Sequence, residues 1–267
     1  MSPATALAQA RTALEATARQ TAALIRSLPD LYAPIPGSAW TVREAAVHLV
    51  SLAGIYTDIA DGVPSPIESM TREALAKQNA RRLGDIPESD PEKVAGLLTE
   101  AAAGFLEAAA RRSGDQAVVF HAGASLDLAS LACISLGEHL LHGYDIARAV
   151  GSPWPIDPLH ARLVLSGYGR CYGSWLNGEA TSGLTTSYRI ELRGGDAFTV
   201  RFSAGGCHVE PRDTGVVDST ISADPVAFLL VHSGRMTQWE AIALGLYSTQ
   251  GPRPEPGLTF MDLFAYP

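Results

Sequence analysis

The sequence is poor in cysteine, in net positive charge and in long apolar runs, and each shortage excludes a class of protein. The three cysteines, Cys133, Cys171 and Cys207, are too few and too scattered for a disulfide framework or a cysteine-based zinc site. The net charge of −8 argues against a nucleic-acid surface, which needs clustered lysine and arginine. We therefore expect no nucleic-acid partner.

Export and membrane signals are also missing. The first residues lack a basic region followed by an apolar one, so no signal peptide is expected. The longest apolar stretch, around Leu126 to Leu136, is interrupted by serine and cysteine and is too short to span a bilayer. The composition, with 46% hydrophobic and 18% charged residues, suits a soluble globular protein with a sizeable core. We expect a cytoplasmic protein with no membrane partner, and its oligomeric state stays open.

The hydrophobic pattern changes from helical to alternating near residue 180. Helical spacing and capping signals predict helices over 3–28, 41–61, 70–82, 90–112, 125–150 and 157–175. Alternating patterns and turn signals then predict strands over 188–193, 198–202, 207–210 and 216–222, with helices over 224–232 and 237–246. The fold class predicted is α+β, with a helical bundle over residues 1–180 and a small α+β domain over residues 181–267.

The predicted second helix begins with a capping box. Thr41 is the expected cap, and Glu44 reaches back to it from the first turn. Trp40, just before the cap, is expected to make a staple-like apolar contact. His48 follows Glu44 by four residues and lies on the same helix face. Both residues could therefore offer a metal ligand, although the capping box favours a structural role for Glu44.

The pair Glu138 and His142 is the strongest chemical signal in the chain. Residues four apart on a helix differ by about 40° in direction, so this carboxylate and imidazole can share one metal ion. The pair continues an apolar, core-facing stripe, where a buried carboxylate is costly unless it is paired or metal-bound. A third ligand from another helix would complete a site with the open position that catalytic zinc needs. His48 is the best candidate for that ligand, and Glu44 is its rival.

Other histidines and cysteines carry weaker signals. His139 falls about 100° away from the face of Glu138 and His142, so it is not expected to be a ligand. Cys133 points about 140° away from Glu138 and is expected to be a small core residue. His121 has no partner at ligand spacing in the sequence.

Two segments of the chain support a resemblance. Thr41–His48, followed much later by Glu138–Ala147, resembles the mycothiol-dependent maleylpyruvate isomerase family, a member of the DinB-like metal-binding bundles. The likeness covers roughly residues 5–175. It implies a DinB-like four-helix-type bundle with zinc ligands at His48, Glu138 and His142.

The resemblance extends to the second half of the chain. The segment Asp224–Gly245 is similar to the end of the sterol-carrier-like domain that this family carries after its bundle. Arg235 lies in a Ser-Gly-Arg segment similar to that of the arginine that serves the anionic substrate in the isomerase. The alternative is that Arg235 is a cation at the end of a helix, with no role in the reaction. Asp145, one turn past His142, could hydrogen-bond a ligand histidine, receive a sugar hydroxyl, or hold an ordinary surface position. Arg235 and Asp145 are thus the implied catalytic residues.

The predicted chemistry is thiol activation. Thiols react as thiolates, and a bound Zn²⁺ with an open position can deprotonate a small thiol, which the resemblance identifies as mycothiol. The main hypothesis is S-transfer or thiol exchange between this thiol and a small electrophilic metabolite. The alternatives are mycothiol-dependent maleylpyruvate cis–trans isomerisation and a non-enzymatic ligand-binding protein with a structural metal. The donor set also suits iron, cobalt or nickel.

Overall fold

The computed structural model describes residues 1–203, 206–211 and 215–265. The chain forms two compact units, Met1–Ile156 and a second unit that begins at Asp157. Compactness thus divides the chain earlier than residue 180, and the predicted domain boundary at that residue stays a prediction. The last two residues of the predicted 181–267 domain lie outside the described residues. No helix within the described ranges is long and apolar enough to cross a membrane.

The first unit is built on a ring of four helices. Its helices are α1 (Pro3–Arg26), α2 (Val42–Ala60), α3 (Arg72–Asp85), α4 (Pro91–Ala110) and α5 (Leu128–Ala149). α1 and α2 each pack against both α4 and α5, and α3 packs against α2. Fully buried side chains such as Leu14, Ala46, Phe105 and Leu131 fill the interior. α5 is buried on all sides over 128–137, and packing against both α1 and α2 holds it in the ring.

Short side chains define the start of each helix in the first unit. The N-caps of α1 to α5 accept hydrogen bonds from backbone N–H groups of the first turn, and they are Ser2, Thr41, Thr71, Asp90 and Asp127. The predicted capping box at Thr41 is confirmed. The predicted start of the fifth helix at Ser125 is wrong. Ser125 lies in the short strand β2 (Ser125–Asp127), which pairs with β1 (Ala117–Val119), and strand pairing outside the helix therefore delays its start.

The second unit combines a five-stranded sheet with helices, which confirms the predicted α+β fold class. Its elements are α6 (Pro158–Gly169), β3 (Ser187–Leu192), β4 (Ala197–Ser203), β5 (Gly206–Pro211), β6 (Ser219–Ala223), α7 (Pro225–His232), α8 (Gln238–Ala243) and β7 (Tyr247–Gln250). The strand order is β5-β4-β3-β6-β7, and only the β3–β6 pair of this sheet is parallel.

Two predictions about the second unit need correction, and one strand was missed. The helix predicted over 157–175 ends at Gly169, and a 3-10 turn follows at Tyr172–Ser174. The strand predicted over 216–222 begins only at Ser219, where its backbone joins β3. Strand β7 was not predicted at all. A turn at Gly194–Gly195 links β3 to β4 in a hairpin, and both glycines adopt positive φ, which glycine tolerates without strain.

Candidate metal centre

Two helices of the first unit supply the side chains predicted as metal ligands. α2 carries His48, and α5 carries Glu138 and His142 one helical turn apart. Because α2 and α5 pack against each other, these side chains meet in the interior of the ring. His48 is buried, while Glu138 and His142 are half-buried. The structure therefore brings together three residues that the sequence separates by about 90 positions.

The three side chains converge on one carboxylate oxygen. Nε2 of His142 lies 3.4 Å, and Nε2 of His48 lies 3.8 Å, from Oε2 of Glu138. One ligand atom from each residue lies within 4.8 Å of the other two. Bonds of about 2.0–2.1 Å to a tetrahedral cation would set neighbouring ligand atoms about 3.4 Å apart. The two distances to Oε2 of Glu138 are close to this value. The full spread of 4.8 Å is wider than twice such a bond, so the three ligand atoms would draw closer together around one zinc-sized cation. Within the described ranges, no further His, Cys, Asp or Glu joins the group.

The electrostatics of the cluster suit a cation. Burial opposes ionisation of Glu138, but the neighbouring imidazoles of His142 and His48 outweigh it and hold the pKa of this carboxyl well below its usual range. Burial lowers the pKa of His48 below its ordinary value, although Glu138 partly offsets the shift. At neutral pH the cluster therefore has an ionised carboxylate and a neutral His48 imidazole, the protonation states that metal ligands require.

Asp145 lies directly behind His142. Its Oδ2 atom is 3.5 Å from Nδ1 of His142, on the side of the ring away from Glu138. Asp145 is only 8% exposed, so the alternative of an ordinary surface position does not apply to it. A carboxylate at Nδ1 favours the tautomer in which Nε2 carries the lone pair. The arrangement therefore orients Nε2 of His142 towards the cluster.

The rival ligand Glu44 is used by the helix cap. Its Oε2 atom accepts hydrogen bonds from the backbone N–H of Thr41 at 2.7 Å and from the Thr41 hydroxyl at 2.8 Å. The Thr41 hydroxyl in turn accepts from the Glu44 N–H at 3.3 Å. Glu44 is accordingly absent from the donor group. Glu44 and His48 lie on the same face of α2, and of these two side chains only His48 joins the group with Glu138 and His142.

Trp40 is a site residue that sequence reasoning missed. Its ring centroid lies 4.8 Å from that of His48 and 5.7 Å from that of His142. A staple-like contact was expected at this position, and no local pattern pointed to the histidine on α5. The half-buried indole covers one side of both imidazoles, so it restricts their motion and excludes water from that side.

His121 is a second neighbour that the sequence did not reveal. It lies in the 3-10 turn His121–Gly123, where its Nδ1 is 2.7 Å from the hydroxyl of Ser65 and its ring is 5.9 Å from Tyr56 of α2. Burial lowers the pKa of His121 to about 4, and the nearby charge of Glu138 opposes this shift. A neutral imidazole therefore lies close to the cluster without joining it.

The structure gives each of the remaining predicted residues a local setting. His139 is buried on α5 but does not belong to the donor group, as its direction on the helix predicts. Cys133 is buried in the core of the first unit. Arg235 belongs to the second unit, where its Nη1 donates to the carbonyl of Ser233 at 3.0 Å just after α7. The predicted catalytic role of Arg235 stays a prediction.

Two family matches cover most of the chain. Residues 11–147 match the mycothiol maleylpyruvate isomerase N-terminal domain, and residues 175–253 match the SCP-2 sterol transfer family. The first match contains all three residues of the cluster. No curated protein sequence matches the chain.

Solved structures show a related fold. The crystal structure of the mycothiol-dependent maleylpyruvate isomerase is similar with a TM-score of 0.51 and 14% identity, and the match covers 93% of this chain and 95% of that one. A histidine-to-alanine mutant of that isomerase matches over the same shares, with a TM-score of 0.54 and 12% identity. The UbiJ-SCP2 ubiquinone synthesis protein has 22% identity over 38% of this chain and 93% of its own, but its TM-score is only 0.32. At these identities the two isomerase structures show the fold alone.

Proposed function

The chain belongs to the family of the mycothiol maleylpyruvate isomerase N-terminal domain, and from this premise we propose that it is a metal-dependent enzyme that uses mycothiol. The observation that carries the proposal is the convergence of His48, Glu138 and His142 within 4.8 Å in the first unit. Two imidazoles and one carboxylate are a donor set of catalytic zinc sites. Zinc is therefore the proposed cation, and the same donors suit iron, cobalt or nickel.

Each residue of the centre has a distinct part in this proposal. His48, Glu138 and His142 hold the cation, and Asp145 keeps the Nδ1 proton of His142 so that Nε2 faces inward. Trp40 covers the two imidazoles. When bound, a cation with an open position lowers the pKa of a coordinated thiol and supplies a thiolate at neutral pH.

The comparisons support isomerisation better than the S-transfer that was the main hypothesis from the sequence. The family match and the two structures that align along nearly the whole chain carry the name of the isomerase. We therefore propose cis–trans isomerisation of a small unsaturated acid such as maleylpyruvate. In this reaction the thiol adds across the double bond, the resulting single bond rotates, and elimination restores the double bond and releases the thiol unchanged. S-transfer differs because the thiol stays on the product.

Metal content and thiol balance test this proposal. We expect purified wild-type protein to retain a divalent metal, and His48→Ala to lose it while staying folded, as judged by elemental analysis and circular dichroism. His208→Ala is the matched control, since its side chain is 77% exposed and it lies in the second unit. With mycothiol and maleylpyruvate, full recovery of the thiol together with a trans product would support isomerisation.

Other outcomes of these measurements would contradict the proposal. Net consumption of mycothiol would favour S-transfer instead. Unfolding of His48→Ala together with loss of metal would favour the non-enzymatic alternative with a structural metal. If wild-type protein retained no metal and showed no thiol-dependent turnover, the enzymatic proposal would be wrong. The predicted cytoplasmic location is independent of these tests.

A further inference from the structure

The inner face of α3 carries two polar side chains that the proposed centre does not use. Leu75 is the buried apolar residue of α3, and Gln78 and Arg82 follow it on the same face of the helix. Oε1 of Gln78 and Nη1 of Arg82 are both buried, and neither atom has a hydrogen-bond partner among the residues that the structure describes. Buried polar groups are normally hydrogen-bonded, and a buried cation is costly without an anion. Both side chains are half-buried as a whole, and these two atoms are the buried polar groups on them that a ligand could satisfy.

A helix-to-helix anchor sets the level of Arg82 relative to the cluster. Arg43, in the first turn of α2, donates from Nε to the carbonyl of Glu88 at 2.8 Å and from Nη2 to the carbonyl of Ile86. This anchor fixes the end of α3 beside the beginning of α2, so the two helices run in opposite directions. Arg82 lies about 6 Å back along α3 from Ile86, and His48 lies about 7.5 Å along α2 from Arg43. Arg82 and His48 are therefore at nearly the same level of the packed pair.

The charge of Arg82 acts on the neighbouring imidazoles. Burial is the main cause of the lowered pKa of His48 and of His121, and Arg82 contributes to both shifts. Burial also lowers the pKa of Arg82 itself, and the nearby charge of Arg81 adds to this effect. Asp85 is the weakest of the influences on the pKa of Arg82, and no described carboxylate forms an ion pair with it. The cation beside the cluster thus lacks a protein counter-ion in the described part of the chain.

We propose that Gln78 and Arg82 form a carboxylate-binding subsite beside the cluster of His48, Glu138 and His142. The inference rests on the proposed function and adds the residues that would hold the carboxylate of its substrate. The planar guanidinium of Arg82 matches a carboxylate with two parallel hydrogen bonds. The amide of Gln78 presents its NH₂ group to the same ligand after a half-turn of its terminal bond. The subsite would hold the acid group while the reacting carbon faces the cluster.

Binding of a simple dicarboxylate tests the subsite without any turnover. We would titrate succinate into the protein by calorimetry and use succinamide as the uncharged ligand of the same size. Wild type, Arg82→Gln and Arg81→Gln would be compared in metal-free and zinc-treated form. Arg81 is exposed and adjacent, so its substitution removes the same charge from the same helical turn. We expect Arg82→Gln to weaken succinate binding about tenfold or more, because a charge-assisted hydrogen bond is lost, and Arg81→Gln to change it by less than about twofold.

Several results would overturn the subsite. The subsite would be wrong if Arg82→Gln and Arg81→Gln bound succinate with equal affinity, or if wild type bound succinamide as tightly as succinate. It would also be wrong if folded wild type showed no saturable binding of succinate. If Arg82→Gln does not fold, Arg82→Lys and Gln78→Leu replace it, and both are expected to bind succinate more weakly than Arg81→Gln. Failure of the proposed function would give a different result. Wild type would then retain no metal or show no turnover, while the metal-free protein would still bind succinate through Arg82.

Discussion

Gly143 follows the candidate ligand His142 directly, and its replacement by alanine tests how tightly α5 is packed. A Cβ atom at Gly143 would lie 2.2 Å from Cζ2 of Trp154 and 2.7 Å from its Cη2. Ordinary contacts are about 3.5 Å or more, so the rigid indole would have to move by over ~1 Å. Overpacking of this kind costs about 1–3 kcal/mol, and the better helix propensity of alanine returns about 1 kcal/mol. The overlap with the indole is severe, so the cost should lie near the upper end of its range, and we expect Gly143→Ala to lose up to about 2 kcal/mol of unfolding free energy.

Gly54 provides the matched control for this substitution. It lies inside α2, and a Cβ atom there would meet nothing within 4 Å. Gly54→Ala should therefore gain about 1 kcal/mol from helix propensity alone. Thermal unfolding followed by far-UV circular dichroism measures both variants, and 1 kcal/mol corresponds to roughly 2–4 °C in a unit of this size. The two variants should shift the midpoint in opposite directions.

A result in which both variants raise the unfolding midpoint would refute the reasoning. It would mean that Trp154 can move away from α5 without a loss of stability, and therefore that the indole does not pack closely beside Gly143. Metal content measured on the same samples shows whether a displaced Trp154 also disturbs the candidate centre.

Two further predictions concern protonation and the support of the ligands. Asp145→Asn should weaken zinc affinity about 10–100-fold, because His142 loses its orienting carboxylate. Asp58→Asn is the control, since Asp58 is exposed on α2, and it should leave zinc affinity unchanged. A competition assay with a chelator measures both affinities. Burial lowers the pKa of His232 to about 3 in the folded protein. Below about pH 6.5 this histidine is therefore protonated in the unfolded chain while it stays neutral in the folded chain. Stability should thus be full above that pH and should fall by at most about 5 kcal/mol between pH 6.5 and 3. His232→Phe should flatten this fall in urea titrations, and parallel pH curves for the two proteins would contradict the assignment.

Local signals in the sequence identify much of the first unit. Thr41 with Glu44 marks the start of α2, and Asp90 before Pro91 marks the start of α4, because a helix end is satisfied by side chains within its own first turn. Glu138 and His142 share a face for the same reason, since helical periodicity acts over four residues. The competition between Glu44 and His48 was also anticipated, because a carboxylate used by a cap is not available to a metal.

Contacts between distant segments explain the errors. Ser125 starts no helix because it pairs with β1, and the register of that pairing depends on residues outside the helix. The parallel pairing of β3 with β6, and the pairing of β7 with β6, join strands that are distant in the sequence. A short sequence pattern does not predict such pairings, because they depend on the path of the chain between the strands. Trp40 and His121 become neighbours of the cluster only through packing, so their sequence context gave no sign of it.

Backbone geometry relates residues within a helical turn, so the order of residues was enough to show which side chains could act together on one helix. The sequence thus identified Glu138 and His142 as a pair and placed His48 on a helix of its own. The folded chain was needed to show that α2 packs against α5, that Trp40 covers both imidazoles, and that Arg82 of α3 lies level with His48. These relations depend on how apolar surfaces pack across the whole first unit, since burial is a property of the assembled fold and not of any single segment.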